Sequence, residues 1–461
     1  MFVLMIIVFI VGYAAIALEN KLDVNKSAVA LIIGMLMWTI YVMGGVDILS
    51  SGLSSAWNDY IANNPSNNSA TDMLNFITHN EIYEHLKDIS SILFFLIGAM
   101  TIVEIIDRHQ GLKILTDKIT TRNKAKLLWI ICILTFFLSA LLDNLTTTIV
   151  MIAVIRKLMA DKTNRWIFVS MVIIAANSGG AWSPIGDVTT IMLWIGGQVT
   201  TIPLLKTVLL PSFVTLLIPL LIITPKLKKR GILRPSSTDL ERIEFSYKER
   251  LIILISGLSC LVFVPIFKTF TQLPPYVGML LALGVLWIIT DIIHKKKNDD
   301  IKKQYDASRI IRKIDTSTIL YFLGILSAVA ALQSAGQLAI ASKFFDEHLG
   351  NIYFIDLAIG FLSSTIDNSA LVAGSMGMYP LETSNAIGYA AHFVQDGTFW
   401  GFLAYCAGTG GNILIIGSAA GVAAMGLEKI SFIWYMKNFS RLAISGYIGG
   451  AIVYYLIQLL H

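Results

Sequence analysis

The sequence predicts an all-α polytopic membrane protein with two inverted-topology repeats. Each repeat holds about five membrane helices, one of them broken, and one re-entrant helical hairpin. Three observations predict this. Of 461 residues, 55% are apolar and only 14% are charged, where soluble proteins carry about 25% charged residues. The apolar runs are continuous rather than alternating, which excludes a β-barrel. The pattern Ser-x-x-x-Asp-Asn occurs twice inside such runs, as Ser139 to Asn144 and as Ser363 to Asn368.

The formal charge of +5 carries no message about nucleic acid, because the basic residues cluster in loops. Cys132, Cys260 and Cys406 stand alone in apolar segments with no CxxC pair, and read as core filler. The stretch Met1 to Leu18 has no basic n-region and no small-residue cleavage site. It reads as a retained first helix.

Apolar spans of about 20 residues set the helices. They fall near 2–18 and 27–45. The polar segment 46–88 has Lys87 as its only basic residue, so the positive-inside rule puts it outside the cytoplasm. A third helix is expected over 89–107. The loop after it, with Arg108, Lys113, Lys118, Arg122, Lys124 and Lys126, is cytoplasmic. The apolar run 127–155 is followed by Arg156, Lys157, Lys162 and Arg165. Both flanks are basic, so both ends are cytoplasmic, and a hairpin over 127–157 with its tip near Asp143 satisfies that. Segment 166–196 returns outward, interrupted at Asn177 to Asp187, where Gly179, Gly180 and Pro184 break the helix. A helix over 207–224 closes the first repeat, 1–224. A basic cytoplasmic linker, 225–250, separates it from the second, 251–461.

The second half repeats the plan. Helices are expected at 251–267 and 274–293, then a basic loop. The run from Asp315 to Leu323 echoes Asp88 to Leu96, and its helix is expected to end near Ala341. The connection Lys343 to Asn351 is near neutral and extracytoplasmic. A second hairpin, 353–378, carries Asp367. Between Tyr379 and Gly397 there is no Lys or Arg, so this hairpin enters from outside. The second broken helix, 398–426, carries Gly408 to Ser418 in register with Asn177 to Asp187. A surface segment, 428–441, precedes the last helix, 442–460. Loop charge and sequence echo therefore agree on inverted repeats, the architecture of many secondary transporters.

In such transporters the substrate site lies near the midplane between discontinuous helices. Two hairpin tips and two Gly-rich breaks supply Asp143, Asn144, Thr146, Thr147, Asn177, Ser178, Ser183, Asp187, Asp367, Asn368, Ser369, Thr409 and Asn412. These are hard oxygen ligands, suited to small hard cations. No Lys or Arg lies in either hairpin core or either break, which disfavours a carboxylate substrate, although helix N-termini can serve an anion. An Asp at the centre of a membrane helix costs roughly 2.5 to 3.5 kcal/mol. A desolvated carboxylate favours its protonated form, and a bound cation drives the proton off. Asp143 and Asp367, then Asp187, are the expected exchange residues.

Each assignment has a plainer competitor. Asp143 and Asp367 could cap helix N-termini, although Ser would do so at lower desolvation cost. Asn144 and Asn368 could be tip-turn residues. Gly179, Gly180, Gly410 and Gly411 could serve close packing alone. Glu104, beside Asp107 and Arg108, is either a surface residue or part of an ion path. His392 and Asp396 read as a solvated loop.

At these residues the chain resembles the NhaD-type sodium/proton antiporters of the broad ion-transporter superfamily, which also holds arsenite pumps and divalent-anion/sodium symporters. The likeness covers about residues 85–450. It rests on Ser139 to Thr147, Asn177 to Thr190, Ser364 to Asn368 and Gly408 to Asn412. It implies exchange of Na⁺ or Li⁺ for H⁺ in a bacterial inner membrane, with no cofactor beyond these transported ions. It also implies a homodimer whose scaffold carries a mobile transport region. The symporter branch has Ser-Asn-Thr at its hairpin tips; here Asp143 and Asp367 stand at the Ser positions, which favours proton coupling. Arsenite efflux or sodium-coupled anion uptake is the competing transport reading. An intramembrane aspartyl protease is disfavoured because Pro184 stands where its Gly-x-Gly-Asp signature needs Gly. Two broken inverted repeats argue against a fixed-pore channel.

Overall fold

The computed structural model describes residues 1–460 except 18, 23, 66–68, 117, 118, 120, 122, 228–244, 296 and 298–304. The linker expected over 225–250 falls mostly on 228–244, outside the described residues. Among the described residues the chain is helical, with no strand beyond an isolated bridge between Glu382 and Val394.

The first half opens with α1 (Phe2–Ala17) and α2 (Lys26–Met43). Asn25 starts α2 by accepting the Ser27 amide at 2.8 Å. The polar segment over 46–88 is largely helical. Short helices Gly45–Ser50, Ser55–Asn63 and Ala70–Asn75 lead through a π-helical turn, Phe76–Glu81, into α3 (Ile82–Arg108). A Ser69/Asp72 capping box starts this run. Hydropathy placed the start of the third helix at 89 because Glu84, Lys87 and Asp88 are polar. They occupy the first turns of α3 outside the apolar span, with Lys87 and Glu84 paired at 3.2 Å.

The first hairpin is α4 (Lys124–Leu142) and α5 (Asn144–Leu158), joined at Asp143. The first interrupted helix is α6 (Lys162–Gly180) and α7 (Val188–Ile195), followed by α8 (Thr201–Ile223). The second half gives α9 (Tyr247–Thr271), α10 (Pro275–His294) and α11 (Thr316–Ser334). Here two expectations fail. α11 stops at Ser334 rather than near Ala341, because Gly336 takes φ +77° and turns the chain. The stretch around 343–351 is not a simple connection, since α12 (Gln337–Leu349) occupies most of it. The second hairpin is α13 (Ile352–Leu362) and α14 (Asn368–Met378). The second interrupted helix is α15 (Thr398–Gly410) and α16 (Ala419–Glu428), and α17 (Ser440–Leu459) ends the fold.

Among the described residues, eight helices are long and apolar enough to cross a membrane. On α9 and α10, residues such as Ile255, Ile266, Phe270, Val285 and Ile288 are exposed. An apolar surface of that extent fits lipid rather than water. The packing sorts the helices into two groups. α1, α2, α3, α9, α10 and α11 pack with one another; α4 to α8 pack with α13 to α17. Each group draws helices from both halves of the chain. The second group holds every hairpin and every interruption.

Candidate cation site

The site is built where four helices begin inside the fold. At each start one polar side chain caps the free backbone N–H groups. Asp143 accepts the Thr146 amide at 2.7 Å, Asp187 the Thr189 amide at 3.0 Å, and Asp367 the Ser369 amide at 3.0 Å. Ser418 does the same for Gly421 at 3.1 Å. Carboxylates suit these positions because helix N-termini carry partial positive charge. The capping role weighed for Asp143 and Asp367 is therefore real, and it leaves the remaining carboxylate lone pairs for other work. Asp143 holds φ +77°, a conformation rare outside Gly and Asn, and this sharpens the hairpin tip.

Asp187 stands at the centre. Its Oδ2 accepts Asn144 Nδ2 from the first tip at 2.6 Å and Asn368 Nδ2 from the second at 3.4 Å. Asn144 also donates to Asn177 Oδ1 at 3.1 Å. Asn177 Nδ2 in turn donates to Asn412 Oδ1 at 2.9 Å and Ser418 Oγ at 2.8 Å. One buried polar network thus joins both hairpin tips and both interruptions. Thr147 Oγ1 and Ser178 Oγ are buried without a hydrogen-bond partner among the described residues. Such orphaned oxygens call for an explanation, and a cation is one.

Other expected residues serve the frame. Ser183 donates to the Ala140 carbonyl at 2.6 Å, and Thr409 to the Tyr405 carbonyl at 2.6 Å. The Thr146 hydroxyl donates to Asp143 at 2.9 Å, and the Ser369 hydroxyl to Asn368 Oδ1 at 3.3 Å. A Cβ on Gly179 would strike the Phe136 carbonyl, and one on Gly410 the Gly360 carbonyl. Gly180 and Gly411 likewise lie against the Gly186 and Gly417 carbonyls. Close packing is thus part of what these glycines do. Pro184 lies in the first interruption, where it has no N–H to leave unpaired. Glu104 is not drawn into the network; it pairs with Arg108 at 2.7 Å. Asp396 accepts the Thr200 hydroxyl at 2.7 Å in the loop between α14 and α15, as a loop residue would.

Asp143 and Asp367 flank the network from small cavities. That at Asp143, about 80 Å³, is lined also by Met100, Thr146, Thr318 and Ala419. That at Asp367, about 70 Å³, is lined by Tyr13, Glu19, Lys26, Tyr321 and Ser418. A larger cavity, about 550 Å³, lies between the end of α3 and the lower half of α5, against Arg108, Val150 and Lys157.

Several participants escaped the sequence reading. Ser418 could have been found, because the eight residues from Gly411 to Ser418 align with the eight from Gly180 to Asp187, sharing the first Gly and the Ile-Gly pair, which puts Ser418 opposite Asp187. Tyr13, whose hydroxyl accepts the Asp367 amide at 2.9 Å, left no local signal. Its contact depends on α1 packing against a tip more than 350 residues away.

The comparisons with known proteins give the family. A family profile described as "Citrate transporter" matches residues 4–395. The chain is 43% identical over 459 residues to sodium/proton antiporter 1 of Arabidopsis thaliana, covering all of this chain and 73% of that protein. It is 40% identical over 453 residues to sodium/proton antiporter 2 of the same plant, covering 98% of each. It is 26% identical over 483 residues to the Na⁺/H⁺ antiporter NhaD of Vibrio cholerae, covering 98% of this chain and 91% of that protein. A multi-pass membrane transport protein rather than an enzyme, the chain belongs to the sodium/proton antiporter family, within the superfamily that the citrate-transporter profile describes.

Proposed function

We propose that this chain exchanges Na⁺ or Li⁺ for H⁺, with cation and proton competing for Asp143, Asp187 and Asp367 under alternating access. The observation that carries the reading is the Asp187 carboxylate. It takes one amide from each hairpin tip, so a ligand bound there senses both halves of the chain. The network residues Asn144, Asn177, Asp187, Asn368, Asn412 and Ser418 include no basic side chain, which supports a cation over an anion. A cation at Asp187 replaces the proton that a desolvated carboxylate otherwise prefers, and the free oxygens of Thr147 and Ser178 complete its shell. The names of the antiporter relatives support the same exchange.

The motion we propose carries the hairpin-bearing group against the α1–α3 and α9–α11 group. The two halves, 1–224 and 251–461, act as inverted repeats with hairpins entering from opposite sides. A homodimer in a bacterial inner membrane completes the proposal; the bacterial relatives that align over nearly the whole chain bear on the bacterial setting alone. The more similar plant relatives make a plant membrane the alternative, which cell fractionation separates. Anion transport on the same fold is the second reading, favoured by the family description alone.

The test uses purified protein in liposomes, acidic inside, with a pH dye. NaCl, LiCl and KCl are added outside, to wild type and to Asp143→Asn, Asp187→Asn and Asp367→Asn. Proton efflux driven by Na⁺ or Li⁺, and lost in the variants, is expected. Cation-independent flux, or full activity in all three variants, refutes the mechanism; labelled citrate and arsenite uptake then test the second reading.

A further inference from the structure

One buried carboxylate plays no part in the network. Asp356 lies one turn into α13, the first arm of the second hairpin, in an otherwise apolar helix. It is fully buried, and neither carboxylate oxygen has a hydrogen-bond partner among the described residues. A bare carboxylate in such a place is among the costliest groups a fold can hold. Something must remove its charge.

The neighbours do not. The titratable groups within electrostatic reach are Tyr353 on its own helix, Cys406 on α15, Tyr447 and Tyr454 on α17, Tyr379 after α14, and Tyr389 beyond it. None is basic. Four of the tyrosines spend their hydroxyl protons elsewhere. Tyr447 donates to the Leu357 carbonyl at 3.1 Å and Tyr454 to the Thr398 carbonyl at 3.1 Å. Tyr379 and Tyr389 donate to Asp346 on α12, at 3.0 and 2.7 Å. The arm is packed closely on α15: Gly360, one turn further along α13, lies against the Cys406 carbonyl at 2.6 Å from where its Cβ would be. With no counter-charge and no donor, Asp356 carries its own proton in this closed packing.

We infer that Asp356 is a second proton-binding site of the exchange cycle. It is protonated while α13 lies closed on α15 and α17. When those helices part towards one face of the membrane, water reaches the carboxyl and takes its proton; the carboxylate is reprotonated from the opposite face before the packing closes again, so one proton crosses per cycle. The proposed motion carries α13, α15 and α17 together, so the inference adds a parting of the hairpin arm from its own group; a merely structural position would be filled more cheaply by Leu or Asn. The inference rests on Na⁺/H⁺ exchange being the activity.

The experiment compares two modes in liposomes: Na⁺-driven proton flux and ²²Na⁺/Na⁺ self-exchange, which moves no net proton. In Asp356→Asn, the neutral shape of the protonated acid, proton flux is expected to fall tenfold or more while self-exchange stays within twofold. Wild-type proton flux in this variant, or parallel loss of both modes, overturns the assignment. If Asp356→Asn does not insert stably, Asp356→Glu decides. A shifted pH profile of proton flux with unaltered self-exchange supports the site, and an unshifted profile overturns it. Absence of exchange in wild type would instead refute the proposed function.

Discussion

Asn177 Nδ2 donates to Asn412 Oδ1 at 2.9 Å, and this bond ties the first interrupted helix to the second. Asn177 is fully buried and also meets Asn144 and Ser418. Its amide is the shared member of the polar network, bonded to one hairpin tip and to both ends of the second interruption. Asn412 has no reserve, because its own Nδ2 is already without a partner among the described residues.

Asn177→Ala is therefore expected to damage more than one contact. Leaving buried polar partners unsatisfied costs about 1–3 kcal/mol. Thermal stability should fall accordingly, and Na⁺-driven proton flux should drop at least tenfold. A variant that transports normally would show that the network is not the site.

The interruptions also make a steric prediction. Gly410→Ala places a methyl group on the Gly360 backbone carbonyl, and Gly179→Ala places one on that of Phe136. Backbone cannot yield as a side chain can, so each hairpin arm must shift. Gly374, on α14 of the second hairpin, has open space around it. Gly374→Ala should be neutral or slightly stabilising, since Ala exceeds Gly in helix propensity by about 1 kcal/mol. The comparison reads out as expression level and melting temperature. Equal behaviour of all three variants contradicts the packing argument.

The frame of this fold was legible because hydropathy and loop charge act locally. The Ser139–Asn144 and Ser363–Asn368 echo led to both hairpins, and Gly179-Gly180 and Gly410-Gly411 led to both interruptions. The helices over 46–88 and 337–349 were not legible, since they are amphipathic or polar and fall below a membrane-span signal. Within the site, the residue types were foreseeable, but their order was not. Asp187 was ranked behind Asp143 and Asp367. It occupies the centre of the network because the α6–α7 interruption projects between the two tips, a tertiary fact. Asp356 escaped because a single Asp in an apolar arm has no repeat partner to flag it.

A second link between the halves lies at the far end of the hairpin-bearing group. Glu428, at the end of α16, is buried and pairs with Arg156 of α5 at 2.5 Å and Arg165 of α6 at 3.0 Å. Trp166 Nε1 also donates to its carbonyl at 3.0 Å. Glu428→Gln leaves two guanidinium groups without their counter-charge. Both arginines are partly open to water, which screens part of the loss. A destabilisation of about 1–2 kcal/mol is expected, below the full cost of breaking a buried pair. Arg156→Gln, with the more exposed partner removed, should cost less. The reverse order in thermal melts would refute this assignment of roles.

The last prediction concerns pH. His109 lies one residue beyond α3, outside the span, with its Nε2 2.9 Å from His294 Nε2. Its Nδ1 meets the Ile105 carbonyl at 2.7 Å, so Nδ1 carries the proton and Nε2 accepts from His294. The rings of Phe245 and Tyr305 pack around the pair, and Glu249 lies within electrostatic reach. Burial pushes the His109 pKa down to about 4. The folded state thus binds fewer protons than the unfolded state between about pH 6.5, the free imidazole value, and pH 4. Stability is complete above that window and falls as the pH drops through it, with no further loss from this group below. At pH 5 the loss is about 2 kcal/mol. His109→Gln keeps a polar side chain and cannot titrate, so its melting temperature should change less between pH 7 and pH 5 than that of wild type. An equal change in the two proteins would show that His109 is not the group whose protonation loosens this end of α3.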